Sequence, residues 1–146
     1  MFTVFVHSPE NKTNSLTQQE YTIFQVTSSF SEGAEITVGR RYSQFEWLLE
    51  RLQAKFRALV LPPLPEKQFS GRFSDEFIEK RRRHLERFMN RLARHPIVRY
   101  SEIFMHFLSS QTETEWSKGD KKFITERNCN GFAFFQKVFH PEFNVE

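Results

Sequence analysis

The sequence predicts an α+β domain, a three-stranded antiparallel sheet packed against a helical subdomain of about three helices with an intervening proline-rich loop. Three observations carry this. The first forty or so residues hold runs that alternate apolar with polar and are rich in Val, Ile, Thr, Tyr and Phe. Two longer stretches then repeat apolar residues every three or four positions. Between them Leu61-Pro62-Pro63-Leu64-Pro65 is extended by necessity, because proline lacks the N–H and restricts the residue before it. With 146 residues, 38% of them hydrophobic and 18 of them Phe, the chain can build one core.

Residues 2–7, about 20–28 and about 35–42 read as the strands. The polar segments Asn11 to Thr17 and Ser31 to Gly33 are short enough to join neighbours directly, so the strands form a meander. A helix starts at Ser43, with Glu46 three residues on as a capping box and with Tyr42 and Trp47 at staple positions. Its apolar stripe, Phe45, Leu48, Leu49, Leu52 and Phe56, ends near Arg57. After the prolines a loop runs to about Phe73. Ser74 caps a second long helix, Asp75 and Glu76 complement its dipole, and it continues to about Arg94 with Pro96 just beyond. A short third helix from Ser101 presents Ile103, Phe104, Phe107 and Leu108. Residues 109–120 read as a polar linker. Farther on, Phe132, Phe135, Val138 and Phe139 share one stripe of a helix of about two turns, too short to stand alone in water. It must be buried either on the core or against a neighbouring domain.

The lone Cys129 cannot close an internal disulfide, and no apolar run approaches the length of a membrane-spanning helix. Met1 leads straight into the strand-like Phe2 to Val6, without the basic stretch and apolar run of a signal peptide, so a soluble cytosolic domain excised from a larger chain is expected. The net charge of +3 conceals an asymmetry: residues 40–94 hold 14 Lys+Arg against 7 Asp+Glu, and the remainder is net negative. A focused basic face attracts phosphate, whether of lipid or of nucleic acid. His7, His84, His95, His106 and His140 fall at no metal-ligand or nucleophile-activating spacing, Gly-rich phosphate loops are absent, and neither an enzyme nor a cofactor is expected.

Arg81 is the most informative position. It lies four residues after Phe77 and four before Leu85, on the stripe of Ile78, Leu85, Phe88, Met89 and Leu92, so its guanidinium points into the protein body. There it meets either an internal carboxylate or an anionic ligand. Arg82, Arg83, Arg87, Arg91 and Arg94 fall mostly off that stripe, on a face that is usually just solvated. Arg40 and Arg41 end a strand immediately before a helix N-terminus, where an arginine fork suits a phosphate and where edge-strand charges also discourage aggregation. Tyr42 either packs or floors a pocket beside the arginines on which a flat sugar or inositol ring could rest.

Arg40-Arg41-Tyr42-Ser43-Gln44-Phe45, then Leu61-Pro62-Pro63-Leu64-Pro65-Glu66-Lys67, then Phe77-Ile78-Glu79-Lys80-Arg81 with Leu85, resemble in order and spacing a phox-homology (PX) domain over about residues 1–110. The resemblance implies that Arg41 holds the 3-phosphate of phosphatidylinositol 3-phosphate and that Tyr42 supports the inositol ring. It implies further that Lys67 contacts the 1-phosphate and Arg81 the 4- and 5-hydroxyls. Gln44 departs from the acidic residue common in the family. Gly71-Arg72-Phe73, Arg94-His95-Pro96 and the segment from Glu115 to Lys122 resemble the sorting nexins that combine SH3, PX and BAR domains. That subclass implies a non-enzymatic module that is cytoplasmic and peripheral on endocytic membranes of the plasma membrane, endosome or phagosome. It also implies phosphatidylinositol 4,5-bisphosphate among the lipids, dimerisation through a BAR domain, and dynamin and actin regulators as partners. Residues 111–146 would then be a coupling segment toward that BAR domain.

Two rivals belong beside this reading. Nucleic-acid binding draws on basic residues interleaved with aromatics, but the sheet carries no RNP aromatic pattern, so no nucleic-acid partner is expected. Pro62-Pro63-Leu64-Pro65-Glu66-Lys67 fits an SH3-ligand pattern, although prolines there can equally shape a pocket wall and place Lys67. Phe69, between polar Gln68 and Ser70, is expected either to dip into the bilayer or to pack under its own loop, with Arg72 meeting anionic lipid at the surface.

Overall fold

A computed structural model describes residues 2–68 and 70–125; Phe69 and the Phe132–Phe139 stripe lie outside the described residues. β1 (Phe2–Thr13), β2 (Glu20–Phe30) and β3 (Glu35–Arg41) form one antiparallel sheet in the order β1-β2-β3, followed by α1 (Tyr42–Lys55), α2 (Asp75–Arg94), a short 3-10 turn (Val98–Tyr100), α3 (Glu102–Ser109) and α4 (Glu113–Thr125). This is the expected α+β class, and among the described residues it includes one helix, α4, where the sequence predicts a linker.

The sheet alternates strictly where it meets the helices: Val4, Val6, Phe24, Val26 and Val38 are buried, and their neighbours face outward. Phe45, Leu48 and Leu52 of α1, Leu85, Phe88 and Met89 of α2, and Phe104 and Phe107 of α3 close the core over that face. β1 continues past residue 7 because the pairing slips between His7 and Glu10, with Ser8 at φ 49°. Pro9, which cannot donate to a ladder, is accommodated within that slip on an edge strand. The outer edge of β1 is covered by α2. Asn90 accepts from the Val4 N–H and donates to the Val4 carbonyl, Glu86 accepts from the Val6 N–H, and Arg82 donates to the Val6 carbonyl.

Helix caps largely follow the expected chemistry. Ser74 accepts from the Phe77 N–H and Ser101 from the Ile103 N–H. The first helix is different: it begins one residue earlier than expected, and Gln44, not the Ser43/Glu46 pair, caps it, its Oε1 accepting from the Arg41 N–H at 2.9 Å. The amide that departs from the family's acidic residue thus serves the turn.

Residues 113–125, read in part from the sequence as polar linker, form helix α4, which packs on the domain. Thr112 accepts from the Glu115 N–H, Trp116 and Phe123 seven residues apart face α1 and α3, and Trp47 donates from Nε1 to Asp120 Oδ1 at 2.6 Å. Trp47, expected as a staple partner of Tyr42, therefore belongs to the α4 contact. His106 sits in this seam with ring centroids 5.7, 5.2 and 5.5 Å from Trp47, Trp116 and Phe123. Burial, then the nearby Arg40 charge, holds its imidazole below the usual range. Gly119 is the close-approach point: a Cβ there would lie 2.1 Å from His106 Cε1. In an ordinary helix interior Gly→Ala stabilises by about 1 kcal/mol. Here Gly119→Ala is expected to have the opposite sign, lowering the melting temperature by a few degrees as α4 is pushed off the imidazole; a raised melting temperature would refute this packing.

Candidate functional site

The alternation of β3 separates Arg40 from Arg41. Arg40 faces inward, 5% exposed, with Nε donating to the Phe107 carbonyl at 3.0 Å and Nη2 to the Ser110 carbonyl at 2.8 Å. Its guanidinium lies 4.7 Å from the Trp116 ring centroid. Carbonyls at a helix C-terminus have no intrahelical partner and carry the negative end of the dipole, so a buried cation there is satisfied without a carboxylate. Burial lowers its pKa to about 10, which leaves it charged at neutral pH. The arginine fork expected from adjacency is therefore not formed, because a period of two sends neighbours to opposite faces.

Arg41 remains outside, at the rim of a cavity of about 640 Å³ that also takes in Tyr42, Lys67, Arg72 and Arg81. Four separated pieces of sequence converge there: the β1–β2 hairpin, the β3–α1 junction, the loop after Pro65 and the first turns of α2. Arg81 is 8% exposed and is clasped between two rings, its Cζ 3.9 Å from the Tyr42 centroid and 4.6 Å from that of Phe77. Nη2 donates to the Glu66 carbonyl at 2.8 Å, whereas Nε is buried without a hydrogen-bond partner. Among the described residues no carboxylate lies within ion-pair distance of it, so the internal salt bridge that spacing left open is absent. Desolvation lowers the Arg81 pKa, and the neighbouring Tyr42 and Glu46 oppose that shift.

The Tyr42 hydroxyl donates to the Pro65 carbonyl. Burial and then Glu46 raise its pKa, which keeps the donor protonated. Tyr42 and Arg81 therefore pin two consecutive carbonyls of a segment with no helix or strand of its own, and the next residue is Lys67. The segment's shape is set by the pocket it borders. Arg72, expected at the membrane surface, lines the same cavity, with its guanidinium 4.9 Å from the Phe73 ring.

Several lining residues escaped the sequence reading. Tyr21 lies 5.5 Å from the Arg41 guanidinium; the pairing of Ile23 with Arg41 puts Tyr21 one diagonal step away on the same face. Glu20 and Glu46 add carboxylates to a wall of four cations. Such a mixture can grip phosphate with arginine and lysine while the carboxylates accept from hydroxyls, a pattern that suits a phosphorylated polyol. Leu16, 93% exposed, tips the hairpin whose Gln18 to Thr22 line the cavity. No group of His, Cys, Asp and Glu among the described residues is placed to hold a metal ion. No described helix is long and apolar enough to cross a membrane.

The fold is that of a PX domain, and the chain belongs to the PX domain family, whose model matches residues 28–111. Its relatives are sorting nexins: it is 34% identical to Sorting nexin lst-4 of Caenorhabditis elegans over 140 residues, covering 96% of this chain and 24% of that one. The chain thus spans about a quarter of the length of that curated relative. Among solved structures, a designed CISK-PX domain superposes with a TM-score of 0.64 at 28% identity, covering 73% of this chain and 98% of the other. The SNX-BAR Mvp1 tetramer superposes with a TM-score of 0.70 at 26% identity, covering 97% of this chain and 41% of that one. PX domains of sorting nexins are a class of phosphoinositide-binding module in membrane trafficking, and such proteins are generally non-enzymatic adaptors.

Proposed function

We propose that the cavity binds the headgroup of phosphatidylinositol 3-phosphate, with phosphatidylinositol 4,5-bisphosphate as a second ligand, and so recruits a cytoplasmic sorting nexin to endocytic membranes. In this reading Arg41 takes the 3-phosphate, Tyr42 supports the ring, Lys67 meets the 1-phosphate and Arg81 donates to the 4- and 5-hydroxyls. The observation that carries it is the Arg81 Nε, a donor of a charged group buried at the cavity with no partner, while two rings fix its direction. A group that is costly to bury unsatisfied is offset when an acceptor arrives. Leu16, from the hairpin beside the cavity, and Arg72 would add surface contact with the bilayer, and Phe69, outside the described residues, is expected to dip into it.

Residues 111–146 would couple this domain to a BAR domain through which the full protein dimerises, with dynamin and actin regulators met through other domains. The Mvp1 superposition, which extends over nearly the whole chain, supports that extension. Flotation of liposomes carrying each phosphoinositide isomer, at low and high salt, tests the function. Retained preference for the 3-phosphate or 4,5-bisphosphate at high salt is expected, and isomer-blind binding that vanishes with salt would contradict it. A second test isolates Arg81. Arg81→Gln is expected to abolish isomer preference while costing about 1–2 kcal/mol of stability, the loss of one hydrogen bond to a backbone carbonyl and of the contacts with the Tyr42 and Phe77 rings, partly offset because the unsatisfied Nε goes too. A loss of roughly 3–5 kcal/mol would instead mark a broken buried ion pair.

A further inference from the structure

The charges of α2 are sorted by face. Its carboxylates are spent at the first turn, Asp75 and Glu76, or along the β1 edge, where Glu79 and Glu86 pair with Arg82 at 2.8 and 3.7 Å. The other face carries Lys80, Arg83, Arg87, Arg91 and Arg94 at steps of three and four residues, a stripe about 21 Å long at the helical rise. Arg83 touches Glu79 at 3.9 Å, while Lys80, Arg87, Arg91 and Arg94 have no ion-pair partner among the described residues. Like charges four apart, Arg83 with Arg87 and Arg87 with Arg91, weaken the helix that bears them. The helix dipole favours Arg91 and Arg94 in the last turn and Glu79 offsets Arg83, but Arg87 at the centre of the stripe has no such compensation among the described residues.

This stripe borders a crease. Pro63, Leu64 and Pro65 on one side and His84, Arg87, Phe88 and Arg91 on the other enclose about 200 Å³. Its floor is apolar, Leu64 and the buried Phe88, and its rim is cationic. It shares no lining residue with the headgroup cavity, because the proline segment sends its Pro65 and Glu66 carbonyls to Tyr42 and Arg81 and lends Pro63 to Pro65 to the crease. A recess of this size accepts one apolar side chain. A flat membrane surface would touch the stripe and leave the recess empty, and a nucleic-acid backbone offers no aliphatic group to fill it.

We propose that the crease and the α2 stripe form a second binding surface, for an extended acidic segment of a partner protein that seats one aliphatic side chain between Leu64 and Phe88 and pairs its carboxylates with Arg87 and Arg91. The surface operates independently of the headgroup cavity.

Fluorescence anisotropy with the 146-residue chain and a labelled peptide of Asp and Glu around one central Leu tests this. Arg87→Glu/Arg91→Glu is expected to weaken the peptide by about tenfold or more, since it replaces attraction with repulsion. Changing the peptide's Leu to Ser is expected to weaken it roughly fivefold on the unaltered protein, a measurement that no folding defect can obscure. Arg41→Ala is expected to leave peptide affinity unchanged, and the double variant to leave binding of soluble inositol 1,3-bisphosphate unchanged. Indifference to the double charge reversal, or to the Leu→Ser change, would overturn the proposal. So would a peptide that fails to bind while phosphatidylserine vesicles or a single-stranded oligonucleotide lose affinity in the double variant, which would assign the stripe to a membrane or to nucleic acid.

Discussion

Arg41→Ala is expected to weaken binding to phosphatidylinositol 3-phosphate liposomes by about tenfold or more and to erase the preference among isomers. A charge-assisted hydrogen bond to phosphate is worth about 1.5–3 kcal/mol, and about 1.4 kcal/mol is a factor of ten. The fold should survive, because the Arg41 side chain is exposed and its contact with Tyr21 is a surface one. The interaction that starts α1 uses the backbone N–H of Arg41, which alanine keeps. Flotation against the isomer panel, beside a melting curve, checks both halves. Unchanged isomer preference would remove Arg41 from the site.

The neighbouring arginine is expected to behave in the reverse way. Arg40→Leu strips the partners from the Phe107 and Ser110 carbonyls and removes the cation beneath Trp116. Each buried acceptor left unsatisfied costs about 1–3 kcal/mol, so a loss of roughly 3 kcal/mol follows, or about 10 °C in melting temperature for a domain of this size. Headgroup preference in the folded fraction should persist. Thermal melting with a binding assay below the transition separates the cases: a stable variant that no longer binds would restore the fork of two phosphate-gripping arginines. Adjacent arginines in one motif therefore divide into one for the fold and one for the cavity.

That division was legible in the alternation of β3, since Val38 and Arg40 share a face and Arg41 does not. The adjacency of two arginines before a helix start pointed the other way, and adjacency along a strand is distance across a sheet. Arg81 was legible because its helical phase could only point inward, though phase could not say whether carboxylate or carbonyl would meet it. Helix α4 left two readable marks, Thr112 with Glu115 at capping spacing and Trp116 with Phe123 seven residues apart. The polar residues between those anchors concealed them, because a helix held by two aromatic contacts needs no continuous stripe. Tyr21 and Glu20 were hidden for another reason: strand register brings them to the cavity, and register is not a local property of the sequence, whereas Glu46 stands one turn after Tyr42 on α1 and was read only as a cap.

Titration of the isotopically labelled domain with soluble inositol 1,3-bisphosphate, followed residue by residue by NMR, bears most directly on the headgroup cavity. Saturable shifts at Arg41, Tyr42, Lys67 and Arg81 are expected, with Arg87 and Arg91 unmoved. Shifts confined to the α2 stripe, with the four cavity residues silent, would contradict it.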